Sequence, residues 1–147
     1  MTKVYIAHSP EEISRGTFFT TILRGEGMVV INPFEQQGVT ENTSSPSTTS
    51  LTIVDQDIKD ISECDVVLVL IPEVARSFGI PMEMVYAQRI YKKKVVTIVT
   101  EKLQKHPWIV YHSDYVINQE NMVDVSGVVI EAIKDVTGFY LKSREQL

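Results

Sequence analysis

Five short apolar runs, separated by segments of helical periodicity, predict an α/β fold. The runs are Val4 to Ala7, Met28 to Ile31, Val66 to Ile71, Lys94 to Val99 and Tyr115 to Ile117. They are apolar almost throughout rather than alternating, as strands are when helices cover both faces of a sheet. Strands and helices alternate along the chain, which reads as βαβ units and a parallel sheet. The expected architecture is a three-layer sandwich of the flavodoxin or Rossmann-like kind. It holds a five-stranded parallel sheet in one domain spanning residues 1–147.

The elements follow in order. Val4 to Ala7 is a buried strand, broken by His8-Ser9-Pro10, and Ser9 can cap a helix from about Pro10 to Arg24. Ile13, Thr17, Phe18, Thr21 and Ile22 are expected to form its inner face, and Gly25 and Gly27 to end it. Met28 to Ile31 is the second strand, closed by Asn32-Pro33. Phe34 to Ser50 is polar and lacks periodicity. A loop of that length reads either as a mobile flap beside a site or as plain disorder.

Leu51 to Cys64 is a helix with Leu51, Val54, Ile58 and Ile61 on one face and Asp57 at the edge of that stripe. The third strand follows, then a loop, then a helix from Pro81 to Lys92 with Glu83 in its first turn. The fourth and fifth strands precede a last helix, Val123 to Val136. The polar end, from about Gly138, reads as a docked tail or a frayed one.

Composition narrows the function classes. Of 147 residues, 44% are hydrophobic and 22% charged, ordinary for a globular domain. The net charge of −5 leaves no basic face for a nucleic-acid polymer, but a single nucleotide needs only a local nest of donors. Lys92-Lys93-Lys94 reads as a solvated helix end. No apolar run approaches the roughly 20 residues of a membrane span, so no membrane partner is expected. The one cysteine, Cys64, fits packing and a reducing, cytoplasmic setting. Asp65 reads as a helix terminator.

In open parallel sheets ligands bind beyond the carboxyl ends of the strands. His8, Ser9, Asn32, the Pro72 to Gly79 loop and Thr100 stand there. Ser77 and Gly79 precede the helix opening at Pro81, whose free N–H groups favour an anion. Asp57 and Glu83 bring two carboxylates to the same end, the minimal equipment for breaking a glycosidic bond. Competing motifs are missing: GxGxxG, GxxxxGK[ST] and GxSxG do not occur, and His8, His106 and His112 lack metal-ligand spacing. Neither metal nor cofactor is expected. A phospho-receiver domain would want an acidic pair where His8-Ser9 stands, and a flavodoxin a loop richer in Ser and Thr.

Three segments resemble the nucleoside 2-deoxyribosyltransferase family, including its 2'-deoxynucleoside 5'-monophosphate N-hydrolase branch. They are Val4-Tyr5-Ile6-Ala7; Gln56-Asp57-Ile58 followed by Cys64-Asp65-Val66-Val67; and Ser77 to Ala87, similar to the family's G-x-x-x-E-x-G-x-A segment. Val85 departs from a usual glycine, and His8 from another, where it would narrow the pocket or add a donor.

The resemblance implies that Glu83 is the nucleophile, Asp57 the acid that protonates the leaving base, and Tyr5 the residue that orients Glu83. It implies a 5'-phosphate contacted by Ser9 and Ser77, because a hydroxyl donates to phosphate where a carboxylate would repel it. The helix amino terminus is expected to keep Glu83 ionised, and burial beside Ile61 to raise the pKa of Asp57. It also implies a homodimer or higher homo-oligomer with shared active sites, His106 or Trp108 reaching a neighbour's pocket.

Without the resemblance each residue has a plainer reading. Glu83 is a dipole or capping partner, Asp57 a solvated aspartate, Tyr5 core, Ser9 and Ser77 caps, and Lys105 to Trp108 a surface turn. The leading expectation is hydrolysis of a small-molecule deoxynucleotide. Base exchange between deoxynucleosides, NAD cleavage and non-catalytic nucleotide binding stand as alternatives.

Overall fold

A computed structural model describes residues 1–36, 50–74, 77–121 and 124–138. Five parallel strands form one sheet: β1 (Lys3–Ala7), β2 (Val29–Ile31), β3 (Val66–Leu70), β4 (Lys94–Val99) and β5 (Tyr115–Asn118). Their order across the sheet is β2-β1-β3-β4-β5. The helices are α1 (Ile13–Gly25), α2 (Pro33–Gln36), α3 (Ser50–Glu63), α4 (Gly79–Val85), α5 (Pro107–Tyr111) and α6 (Val125–Val136). The three-layer α/β sandwich expected from the sequence is therefore the architecture found.

The strand pleat sends alternate side chains to opposite faces. Val4 and Ile6 of β1 join Val66, Leu68 and Leu70 of β3 in a core shared with α1 and α6. Tyr5 and Ala7 join Val67 and Val69 in a second core with α3 and α4. Register pairs Tyr5 with Val67 and Ala7 with Val69. The chain leaves β1 toward one face and β3 toward the other, so a crevice opens between their carboxyl ends. That is the topological switch point of an open parallel sheet.

Several helices differ from the sequence expectation. The first begins as a 3-10 turn, Pro10–Glu12, and α1 buries Gly16, Phe19, Thr20 and Leu23, not the expected Ile13/Thr17/Phe18 stripe. Phe18 is 51% exposed. The helix is rotated because His8 and Asn32, at the ends of β1 and β2, need small partners. Gly16 makes room for the His8 ring, and Thr20 Oγ1 accepts from Asn32 Nδ2 at 3.1 Å.

In α3, Val54 is half exposed, and Ile53, Asp57, Asp60 and Ile61 face inward, as does Cys64 just past its end. Asp57 thus lies within the inner face and not at its edge. The helix stands over the open end of the sheet, so its inward stripe lines a crevice as well as a core.

The expected Phe34 to Ser50 loop starts instead with the short helix α2, and α3 already includes Ser50. The flap itself, residues 37–49, lies outside the described residues, as does the tail beyond Gly138. The expected helix from Pro81 to Lys92 is in two parts. α4 begins earlier, at Gly79, and passes into a π-helical turn, Tyr86–Ile90, closed by Tyr91 N–H donating to the Tyr86 carbonyl at 2.9 Å. Lys92, at φ 56°, ends it. No helix among the described residues is long and apolar enough to cross a membrane.

Candidate active site

Six of the nine residues singled out from the sequence line one cavity of about 150 Å³ at the switch point: His8, Ser9, Asp57, Ser77, Gly79 and Glu83. Each arrives by a different route. His8 and Ser9 are the break after β1, Asp57 hangs from α3, and Ser77, Gly79 and Glu83 belong to the connection after β3 and to α4. Tyr5 lies beneath the cavity, fully buried.

Tyr5 ties the two carboxyls together. Its hydroxyl donates to Glu83 Oε1 at 3.3 Å, and it also favours the ionised form of Asp57. Burial, and then the charges of Glu83 and Asp57, hold the Tyr5 phenol well above its ordinary pKa, so it remains a donor. Asp57 Oδ1 is buried without a partner among the described residues. Burial, then the neighbouring Asp60 charge, pushes the Asp57 carboxyl up to about 6. That agrees with the expected direction.

Glu83 corrects two expectations. Because α4 starts at Gly79, Glu83 sits past the first turn, where the helix dipole gives it no special support. Burial, then the charge of Asp57, raises its carboxyl to about 8. It is therefore protonated at neutral pH in the free protein. Two raised carboxyls facing one cavity act as a pair holding one proton between about 6 and about 8.

The two serines differ in their hydrogen bonding. Ser9 precedes the 3-10 turn, yet its hydroxyl makes no capping bond. Its Oγ is buried and without a partner among the described residues. Ser77 stands one residue before the N-cap Phe78, and its Oγ accepts the Ile80 N–H at 3.3 Å, which leaves its own proton to donate. Gly79 opens α4 and does not precede it.

His8 donates from Nδ1 to the Ser9 carbonyl at 2.8 Å and stacks on Phe34 with centroids 4.4 Å apart. Burial lowers its pKa. A Cβ on Gly16 would stand 2.3 Å from its Nε2, so that nitrogen packs against α1. The ring narrows the cavity by its bulk.

His106 and Trp108 are not brought to the carboxyls. They line a separate, apolar cavity of about 260 Å³ between α4 and α5, which shares Ser77 and Ile80 with the first. Trp108 is 73% exposed and stacks on His112. Among the described residues no group of three His, Cys, Asp or Glu side chains could hold a metal.

Sequence reasoning missed Phe34 and Ile53, which also line the cavity. Nothing in the polar surroundings of Phe34 marked it. Ile53 was legible: Ile53, Asp57, Asp60, Ile61 and Cys64 recur at three- and four-residue spacing, a single stripe.

Fold and site together define an α/β sandwich with a part-buried carboxyl pair at its switch point, beside a Ser9 hydroxyl that has no partner among the described residues. Solved structures with this fold include a CMP N-glycosidase and a 2-deoxyribosyltransferase. The CMP N-glycosidase BcmB of Clostridium botulinum matches with a TM-score of 0.60 and 21% identity, over 81% of this chain and 91% of that one. A 2-deoxyribosyltransferase from Bacillus psychrosaccharolyticus matches with a TM-score of 0.55 and 17% identity, over 78% and 92%. A conserved protein from Enterococcus faecalis V583 matches with a TM-score of 0.61 and 16% identity, over 92% and 98%. No family model and no curated protein sequence matches the chain.

Proposed function

We propose that the protein cleaves the N-glycosidic bond of 2'-deoxynucleoside 5'-monophosphates by way of a covalent sugar ester on Glu83. The observation that carries this reading is the Asp57–Glu83 pair, part-buried at the switch point and joined through Tyr5. The fold shared with a 2-deoxyribosyltransferase and a CMP N-glycosidase supports it.

The chemistry uses the one-proton state of the pair with that proton on Asp57, so the proton that rests on Glu83 in the free protein must pass to Asp57. Ionised Glu83 attacks the anomeric carbon; a C–O bond forms and the C–N bond breaks. The electron pair leaves with the base, which takes the proton of Asp57. Water then attacks the same carbon, gives its proton to Asp57 and frees Glu83. Tyr5 donates to Glu83 as its charge returns. In this reading Ser9, whose buried hydroxyl has no partner among the described residues, and Ser77 donate to the 5'-phosphate. The exposed Trp108 face fits the expectation that His106 or Trp108 serves a neighbouring copy, as in a homodimer with shared sites.

The test is product analysis with a deoxynucleotide, with and without a second free base. Release of deoxyribose 5-phosphate without an acceptor supports hydrolysis. New nucleoside formed only when acceptor is present supports base exchange instead. Nucleotide binding without turnover, unchanged in Glu83→Ala, would leave only a binding domain. Mass spectrometry after a 2-fluoro sugar substrate locates the ester.

A further inference from the structure

We propose that Phe34 is the platform on which the departing base stacks. The inference deepens the proposed function and rests on it, with Asp57 as acid and Glu83 as nucleophile.

Phe34 is half-buried, yet it belongs to neither hydrophobic core. Its position is nonetheless fixed on several sides. Its N–H donates to Asn32 Oδ1 at 3.1 Å, and Asn32 is tied through Thr20 to α1. The next residue, Glu35, pairs with Arg24 at 2.8 Å, which links α2 to the end of α1. The ring itself stacks on His8, with centroids 4.4 Å apart and planes 20° from parallel. His8 is held in turn by its Nδ1–H on the Ser9 carbonyl and by Gly16 behind its Nε2 edge. Phe34 and His8 both line the cavity that holds the two carboxyls. An aromatic ring fixed there, outside either core, calls for an occupant.

The chemistry says which part of a nucleotide meets it. Asp57 protonates the departing base, so the base lies within hydrogen-bond reach of that carboxyl. Ile53 precedes Asp57 by one turn on the same face of α3 and, like Phe34, lines the cavity. The acid thus shares its cavity with apolar surface as well as with the Ser9 and Ser77 hydroxyls. Hydroxyls suit a phosphate; a flat base suits an aromatic ring, since every base has a π-face. The larger chamber by Trp108 is also apolar, but neither carboxyl lines it, so a base resting there would miss the acid.

The experiment is 19F NMR of the full-length protein carrying 4-fluorophenylalanine, with Glu83→Gln added to remove the nucleophile. The chain has five phenylalanines, and Phe34→Tyr identifies the Phe34 signal by its loss. A deoxynucleoside 5'-monophosphate should move that signal, and deoxyribose 5-phosphate, which lacks the base, should not. In the otherwise wild-type enzyme Phe34→Leu should cut kcat/KM by about three- to tenfold, the usual worth of an aromatic pair. Inhibition by deoxyribose 5-phosphate should be unchanged in that variant. Phe34→Tyr, which keeps the ring, should recover most of the loss, and it keeps the test open if Phe34→Leu does not fold.

A Phe34 signal that stays in place while nucleotide binds, or that moves equally with deoxyribose 5-phosphate, overturns the inference and leaves the proposed function standing. A wild type that turns over no deoxynucleotide overturns the proposed function. If nucleotide still moves the Phe34 signal in that case, the stacking platform stands as part of a binding site. No response of any signal to nucleotide overturns both.

Discussion

The Tyr5 hydroxyl stands 3.3 Å from Glu83 Oε1, a contact between residues 78 apart in the chain. It links the first strand to the helix after the third, across the crevice between their carboxyl ends. A phenol held protonated by burial is a permanent donor, and its best acceptor is a carboxylate. The contact therefore favours the charged Glu83 that nucleophilic attack requires.

Tyr5→Phe keeps the buried ring and deletes that donor. A hydrogen bond to a charged group is worth about 1.5–3 kcal/mol, so kcat/KM should fall by about ten- to a hundredfold. Wild-type kcat/KM should be bell-shaped, with limbs near about 6 and about 8. Below the lower limb both carboxyls are protonated and the nucleophile is lost; above the upper limb both are ionised and the acid is lost. Rate–pH profiles of the two proteins check this, and Tyr5→Phe should move the limbs upward.

Stability should fall with rising pH for the same reason. The folded Glu83 carboxyl is raised from 4.5 to about 8, so between those values the folded state binds the proton that the unfolded chain has released. Its contribution is fully present below the unfolded pKa and is lost as pH climbs through about 8. Glu83→Gln, neutral at every pH, should flatten this slope and gain stability at pH 9 on the order of a few kcal/mol. Urea unfolding at several pH values reads it directly.

Ser9→Ala removes a buried hydroxyl that has no partner among the described residues. Thermal stability should hold or rise slightly, since no internal hydrogen bond is broken. KM for a deoxynucleoside monophosphate should rise by about tenfold, as expected for loss of a bond worth about 1.5 kcal/mol. KM for the matching free nucleoside should not change. Equal effects on both substrates would remove Ser9 from the phosphate side.

Gly16→Ala puts a Cβ 2.3 Å from His8 Nε2. The imidazole stacked on Phe34 must then move, at a cost of about 1–3 kcal/mol. Adding His8→Ala should recover most of that loss. A double-mutant cycle by chemical denaturation measures the coupling.

The fold was legible because its signals are local. Fully apolar runs, helical periods between them and Gly or Pro punctuation specify a parallel sheet without reference to distant residues. The site was legible in part for a similar reason, since a parallel sheet gathers the ends of its strands. His8, Ser9, Ser77 and Glu83 could be placed there once the strands were known. Periodicity alone could not say which face of α1 or α3 turns inward. The answer depends on the His8 ring needing Gly16, and on Asp57 overlooking a crevice.

By itself, then, the sequence determined the strands, their parallel βαβ order and the end of the sheet where chemistry gathers. These rest on side-chain periodicity and backbone preference, which act over a few residues. Only the tertiary structure decided how the protons are shared. Glu83 is raised because packing buries it beside Asp57, with the Tyr5 hydroxyl opposing that rise, and Asp57 is raised because α3 turns its carboxyl inward, beside Asp60. A charge responds to everything packed around it, and most of what surrounds these carboxyls comes from remote parts of the chain.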